Sequence, residues 1–115
     1  MAAAKQPFIL YALDYMDPEA FDRRMAVRPT HLANANALKE QGVMRIGGGL
    51  VDPTTYQSGE KKLIGSLMVF EAESLEAVRK VVEEDIYYKS NVWDKEKLVI
   101  LPWLLSQPLP PLAPQ

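Results

Sequence analysis

The chain predicts an α+β fold on the ferredoxin-like βαββαβ plan, a four-stranded antiparallel sheet with helices on one face. Three observations carry this expectation. Four short apolar runs, at residues 8–13, 43–51, 63–70 and 98–101, read as strands. Stretches of helical apolar spacing follow the first and third runs, and Gly, Pro and Asp clusters punctuate the joins. At 115 residues one domain is expected, over 8–105, with an extension at 1–7 and a proline-rich tail at 106–115.

Phe8-Ile9-Leu10-Tyr11-Ala12-Leu13 is aromatic-rich and apolar, a buried first strand. Asp17-Pro18-Glu19 has a cap acceptor, a proline for the first helical position and an acid behind it, so a helix is expected to start there. Phe21, Met25, Leu32, Ala35 and Leu38 keep one apolar face. Pro29 is expected to interrupt that helix and start a second piece, and Gly42 to stop it. Gly47-Gly48-Gly49 interrupts the second strand, marking a bulge or a close approach to the backbone. Residues 52–60 form a polar loop, and 63–70 is apolar enough to be a central strand. Ser74 opens a helix whose expected inner face is Leu75, Val78, Val81 and Val82.

A sheet covered on one face leaves the other bare, and several strands are apolar on both sides. A homodimer packed through the open sheet face is therefore expected. The tail carries prolines at 108, 110, 111 and 114, so it is neither helix nor sheet. Draping over its own dimer or disorder is the favoured reading, ahead of docking as polyproline II in a partner's groove.

A net charge of −2 argues against nucleic acid, and the apolar runs are too short to cross a membrane. The first seven residues do not read as a signal peptide. With no cysteine, disulfides, thiolate catalysis and zinc fingers are excluded, and a reducing, cytoplasmic location is expected. No phosphate loop follows the glycines, and one histidine with scattered carboxylates is weak support for a metal, so neither metal nor cofactor is expected. The strand at 63–70 lacks the paired stacking aromatics of an RNA-recognition module.

Proton-transfer chemistry then falls to the single histidine, His31. Counting Pro29 as the first helical position puts it in a first turn, where the helix dipole favours neutral imidazole, a base at pH 7. The alternative is a histidine held by a structural hydrogen bond. Arg28, three residues earlier, suits a carboxylate or enolate oxygen, or else a surface ion pair. Asp85, in the acidic run ending the second helix and beside Tyr87 and Tyr88, is the candidate to orient His31. The tyrosines can line a pocket and donate from their hydroxyls.

Arg28-Pro29-Thr30-His31-Leu32, Leu38-Lys39-Glu40-Gln41-Gly42, Gly47-Gly48-Gly49-Leu50, residues 70–77, Asp85-Ile86-Tyr87 and a last strand ending at Pro102 resemble the YCII-related (YciI-like) family. The likeness runs in order over residues 8–103. It implies a dimeric α/β-barrel and a pocket with a histidine–aspartate pair used by some relatives for cofactor-free chemistry. One relative eliminates hydrogen chloride from a chlorinated hydroxyhydroquinone, and muconolactone isomerases share the wider fold. By motif the pair falls on His31 and Asp85, with Arg28 before the histidine. Ile86 stands where the family usually has proline, which loosens the turn aiming Asp85. Gly49 stands where proline usually follows the glycine, which widens the pocket floor. The 52–62 loop and the tail look particular to this chain.

The leading expectation is a cofactor-independent lyase or isomerase, of dehydratase, dehalogenating or cyclising type, acting on a small oxygenated cyclic or aromatic-like metabolite. His31 moves a proton, Asp85 orients it and Arg28 holds the developing enolate or carboxylate. Tyr87 and Tyr11 line the pocket, and Gly48 and Gly49 admit the ligand to the backbone. The alternative from another class is a non-catalytic dimer that binds a small ligand or supports a partner. A weaker third reading, a cofactor-free monooxygenase, requires oxygen consumption.

Overall fold

The computed structural model describes residues 4–112. Strands β1 (Gln6–Leu13), β2 (Met44–Val51), β3 (Leu63–Ala72) and β4 (Val99–Pro102) form one sheet in the order β2-β3-β1-β4. Every pairing is antiparallel: β1 lies against β3 from Gln6↔Ala72 to Leu13↔Gly65 and against β4 from Phe8↔Pro102 to Tyr11↔Val99. Helices α1 (Ala20–Glu40) and α2 (Leu75–Glu84) complete the ferredoxin-like βαββαβ order, with an added short helix α3 (Ile86–Lys89).

The period-2 alternation of β1 decides which face is the core. Phe8, Leu10 and Ala12 point inward, while Ile9 and Tyr11 point to the other face. Met68 and Phe70 do the same on β3, and Val78, Val82, Tyr87 and Trp93 close over them. Burying each large apolar side chain stabilises the fold by roughly 1.5–3 kcal/mol, enough to override weak local signals.

Three such signals mislead. Pro29 does not divide the helix: α1 runs unbroken through it. The proline ring and Met25, the residue whose carbonyl it leaves without an N–H, are both on the exposed side, so water can serve the freed carbonyl. Asp17 does not cap α1, because its carboxylate is taken by both Arg23 terminal nitrogens at 2.6 and 2.8 Å. The helix starts at Ala20 without a side-chain cap. Leu75 sits on the outer face of α2, and Val78 and Val82 alone are fully buried there. Ser74 does cap α2, accepting from the Ala77 N–H at 3.1 Å. Gly42 ends α1 at φ +74°, a left-handed position open to glycine.

The glycines do not interrupt β2. Gly47↔Met68, Gly48↔Leu67 and Gly49↔Ser66 pair in sequence, and the register shifts fall outside them, between Met44 and Ile46 and between Leu50 and Val51. The chain after β4 is neither helix nor strand through Leu112, and Pro114 lies outside the described residues. This tail returns along the open face of its own sheet. The Trp103 N–H donates to the Pro7 carbonyl at 2.9 Å, and Arg45 holds both Glu71 and the Pro110 carbonyl. With Ile9, Ile46, Leu67 and Val69 of the sheet it bounds an apolar cavity of about 680 Å³.

Candidate active site

The continuous α1 is what assembles the site. Arg24, Arg28, His31 and Ala35 are spaced by four, three and four, so they share the stripe facing β2, β3 and α3. His31 lies in the middle of this helix, away from its N-terminus. The dipole argument for a neutral imidazole therefore fails, and what acts on the ring is its contacts.

Those contacts are specific. The ring is buried, and Nδ1 is 2.9 Å from Asp85 Oδ1. A carboxylate accepts only, so Nδ1 carries the hydrogen and Nε2 is left as the basic nitrogen. Tyr87 stacks on the imidazole with centroids 3.9 Å apart and 12° between planes, and Trp93 meets it edge-on at 6.2 Å.

Asp85 does not end α2 as a misplaced acid. It is the N-cap of α3, where Oδ1 also accepts from the Tyr87 N–H at 2.9 Å. An anion at a helix start is electrostatically favourable. The cap also aims the carboxylate, so Ile86 in place of proline does not loosen it. Burial raises the Tyr87 phenol above its ordinary pKa, which keeps it protonated at neutral pH.

His31, Arg28, Tyr87, Gly48 and Gly49 line one cavity of about 70 Å³ between α1 and β2. That volume seats the reacting end of a small molecule. Arg28 is half-buried there and makes no ion pair among the described residues. Gly49 keeps the floor open: a Cβ would stand 2.9 Å from Leu63 and 3.4 Å from Arg24 Nη2. A Cβ at Gly48 would point away into open space, so Gly48 meets this cavity through its backbone.

Two expected residues are elsewhere. Tyr11 is on the open face of the sheet, because register places it with Tyr87's core on the opposite side. Tyr88 leaves the cavity and lies under the Lys95 ammonium at 4.6 Å.

A second buried cluster was not visible in the motifs. Arg24 Nη1 lies 3.0 Å from both Asp14 carboxylate oxygens, and Nη2 donates to Ser66 Oγ at 3.2 Å. Ser66 Oγ also accepts from Trp93 Nε1 at 3.1 Å. The Arg24 guanidinium lies over the Tyr87 ring at 4.6 Å, and Nε has no partner. Burial pushes the Asp14 carboxyl above its usual range, with Arg24 pulling the other way without offsetting it. An uninterrupted α1 would have flagged Arg24, one heptad before His31. Alternation along β3 would have turned Ser66 inward with Met68.

Comparison with known proteins agrees with this architecture. The model of the YCII-related domain matches residues 9–103. Protein YciI of Escherichia coli O6:H1 is 30% identical over 87 residues, covering 76% of this chain and 87% of that protein. Fusaric acid biosynthesis protein 2 of Gibberella fujikuroi is 26% identical over 86 residues, covering 75% and 83%. Among solved structures, the 5-chloro-2-hydroxyhydroquinone dehydrochlorinase of Burkholderia phenoliruptrix AC1100, in complex with 2,5-dihydroxybenzoquinone, superposes with a TM-score of 0.71. It is 26% identical, and the match covers 85% of this chain and 93% of that one. Fold, site stripe and family model coincide over the same residues, and the chain belongs to the YCII-related family.

Proposed function

We propose that the protein is a cofactor-independent lyase or isomerase acting on a small oxygenated ring compound. The observation that carries this is the buried His31–Asp85 contact, with the free imidazole nitrogen in a cavity that also holds an unpaired arginine. His31 Nε2 takes a proton from an acidic C–H beside a carbonyl, and the C–H electrons move into the enolate system. Arg28 holds the developing oxyanion, and Asp85 stabilises the imidazolium. In a lyase the enolate electrons then expel a leaving group from the neighbouring carbon. In an isomerase the imidazolium returns the proton at another carbon. General acid–base help contributes about 10²–10⁴-fold, so the substrate is already activated, as a phenol, quinol or lactone is. The likeness to a dehydrochlorinase of a hydroxyquinol supports that class.

Asp85→Asn tests the reading cleanly, because asparagine is also a good N-cap and α3 is retained. Halogenated and hydroxylated quinols, 5-chloro-2-hydroxyhydroquinone first, serve as substrates, with chloride release and oxygen uptake recorded together. Turnover without oxygen uptake, reduced about 10²–10⁴-fold in Asp85→Asn and His31→Gln, is expected. Turnover unchanged in both variants sinks the mechanism, and oxygen uptake points to the monooxygenase class. No turnover across quinols and lactones favours the non-catalytic reading.

We place a homodimer in the same proposal. Tyr11, Leu67, Val99, Leu101 and Trp103 leave apolar surface exposed on the open face, which a second copy would cover.

A further inference from the structure

Ser66 is almost wholly buried and lines the same cavity as His31 and Arg28. A serine hydroxyl has two acceptor positions and one hydrogen to give. Both acceptor positions are spent: Arg24 Nη2 and Trp93 Nε1, groups that only donate, reach Oγ at 3.2 and 3.1 Å. The hydroxyl hydrogen finds no acceptor among the described residues. A cation and an indole N–H pulling on the oxygen also make that O–H a stronger donor. Beside it, Arg24 Nε is a second buried donor without a partner. Buried donors left unspent are costly and rare, so two at one spot call for an acceptor that the folded chain does not supply.

The space for that acceptor is also present. Gly49 is the direct strand neighbour of Ser66 across the β2–β3 ladder. A Cβ at Gly49 would come within 3.4 Å of Arg24 Nη2, so the absence of a side chain there leaves this end of the cavity open. The lining includes Arg24, Arg28 and Lys39 and no carboxylate, because Asp14 and Asp85 stand behind Arg24 and His31.

We infer that Ser66 is a substrate-binding residue, donating its hydroxyl hydrogen to a carbonyl or oxyanion oxygen at the Gly49 end of the cavity. Arg28 holds a second oxygen. The substrate class narrows accordingly, to small planar anions with oxygens on two edges, as in hydroxyquinones and hydroxylated keto acids. A ring with one oxygen function leaves Ser66 unserved. The inference rests on the cavity being the substrate site, but its test needs binding alone and no turnover.

The probe is 2,5-dihydroxybenzoquinone, with benzoate as a one-edged anion, titrated calorimetrically against the full chain. Losing one hydrogen bond to a charged acceptor weakens binding by about 10- to 100-fold. Ser66→Ala is expected to lose that much affinity for the quinone and little for benzoate, while Ser66→Thr, which keeps the hydroxyl, stays within a few-fold of wild type. Because Ser66→Ala also strips partners from Trp93 and Arg24, Gly49→Ala is the second variant. It removes no donor or acceptor from Ser66, fills the opening against Leu63 and Arg24 Nη2, and is expected to weaken the quinone at least 10-fold. Wild-type affinity for the quinone in folded Ser66→Ala overturns the inference, and in its absence wild-type affinity in Gly49→Ala does so. A wild-type protein that fails to bind the quinone at millimolar concentration overturns it as well. The catalytic reading fails separately, through unchanged turnover in Asp85→Asn.

Discussion

The buried Arg24–Asp14 pair makes a stability prediction that depends on pH in a calculable way. Both side chains are at most 5% exposed, and Nη1 lies 3.0 Å from each carboxylate oxygen. Removing one partner of such a pair costs about 3–5 kcal/mol, because the other charge stays buried without compensation. Arg24→Met keeps an unbranched side chain and removes the charged guanidinium that lies over Tyr87. Burial already holds the Asp14 carboxyl above its ordinary value with Arg24 present, and losing Arg24 raises it further.

The sign follows. A carboxyl whose native pKa lies above its unfolded value of ~3.9 binds its proton more tightly when folded. Its contribution is full below the unfolded value and lost as pH rises through the native one. The variant, with the higher native value, therefore begins to recover stability on acidification at a higher pH than wild type does. The gain is at most about 1.4 kcal/mol per pH unit for one proton. At about 4 °C per kcal/mol for a domain of this size, Arg24→Met should melt roughly 12–20 °C below wild type at pH 7.5. The gap should narrow by up to roughly 10 °C at pH 5.5. Calorimetric melting across that range is the assay, with Arg24→Met/Asp14→Asn as control, in which the narrowing disappears. Melting curves of wild type and Arg24→Met that stay parallel from pH 7.5 to 5.5 would refute the reasoning, since Asp14 would then not be the group left stranded.

Other expectations are simpler. Asp17 is exposed and held down to about 2 by the Arg23 hydrogen bonds, so its contribution is present above the ordinary carboxylate range and lost as pH falls through about 2. Asp17→Asn should then differ from wild type at pH 6 and converge with it by pH 2, and a difference persisting in acid would mean that α1 is anchored otherwise. Sedimentation equilibrium should give twice the mass of the 115-residue chain, and Leu67→Glu, on the open face, should halve it without a large change in melting temperature. A monomeric wild type would instead assign the open face to the tail alone.

The fold was legible because its signals agree. The short apolar runs of β1 and β3, the Ser74 cap and the Gly42 stop all point the same way, and the tertiary core has only to confirm them. The misreadings came where a local rule met a side chain turned to water. Pro29 breaks helices when it sits against the core, but on the exposed side of α1 its lost hydrogen bond goes to solvent. That single error concealed Arg24, since only an uninterrupted helix puts it on the His31 stripe. The His31–Asp85 contact spans 54 positions and has no local signature. The acidic run beside two tyrosines nominates Asp85 as the partner of His31, but only the family resemblance brings the two together. α3 was missed because a helix of four residues has no periodicity to read. Its cap, Asp85, is nonetheless what turns the carboxylate to the histidine. Tyr11 illustrates a rule that was available and unused: its neighbours Leu10 and Ala12 face the core, so parity alone sends it to the open side.

The two buried clusters make one electrostatic arrangement. Tyr87 lies between them, stacked on His31 and beneath the Arg24 guanidinium. With His31 neutral, Arg24 and Arg28 are matched in number by Asp14 and Asp85. Each aspartate is spoken for, one by Arg24 and the other by His31, so Arg28 is left without a fixed partner among the described residues. In the proposed mechanism, proton transfer from a substrate carbon to His31 would create an imidazolium and an oxyanion together. The imidazolium would be met by Asp85, already in contact at 2.9 Å. On the same proposal the oxyanion would be met by Arg28 and by the hydroxyl of Ser66. These groups already line one cavity, and preorganisation of this kind lowers a barrier. Of the two arginines lining the cavity, Arg24 is the more deeply buried. Arg24 spends Nη1 on Asp14 and Nη2 on Ser66, so that the serine, with Trp93 on its other acceptor position, has one direction left in which to give its hydrogen.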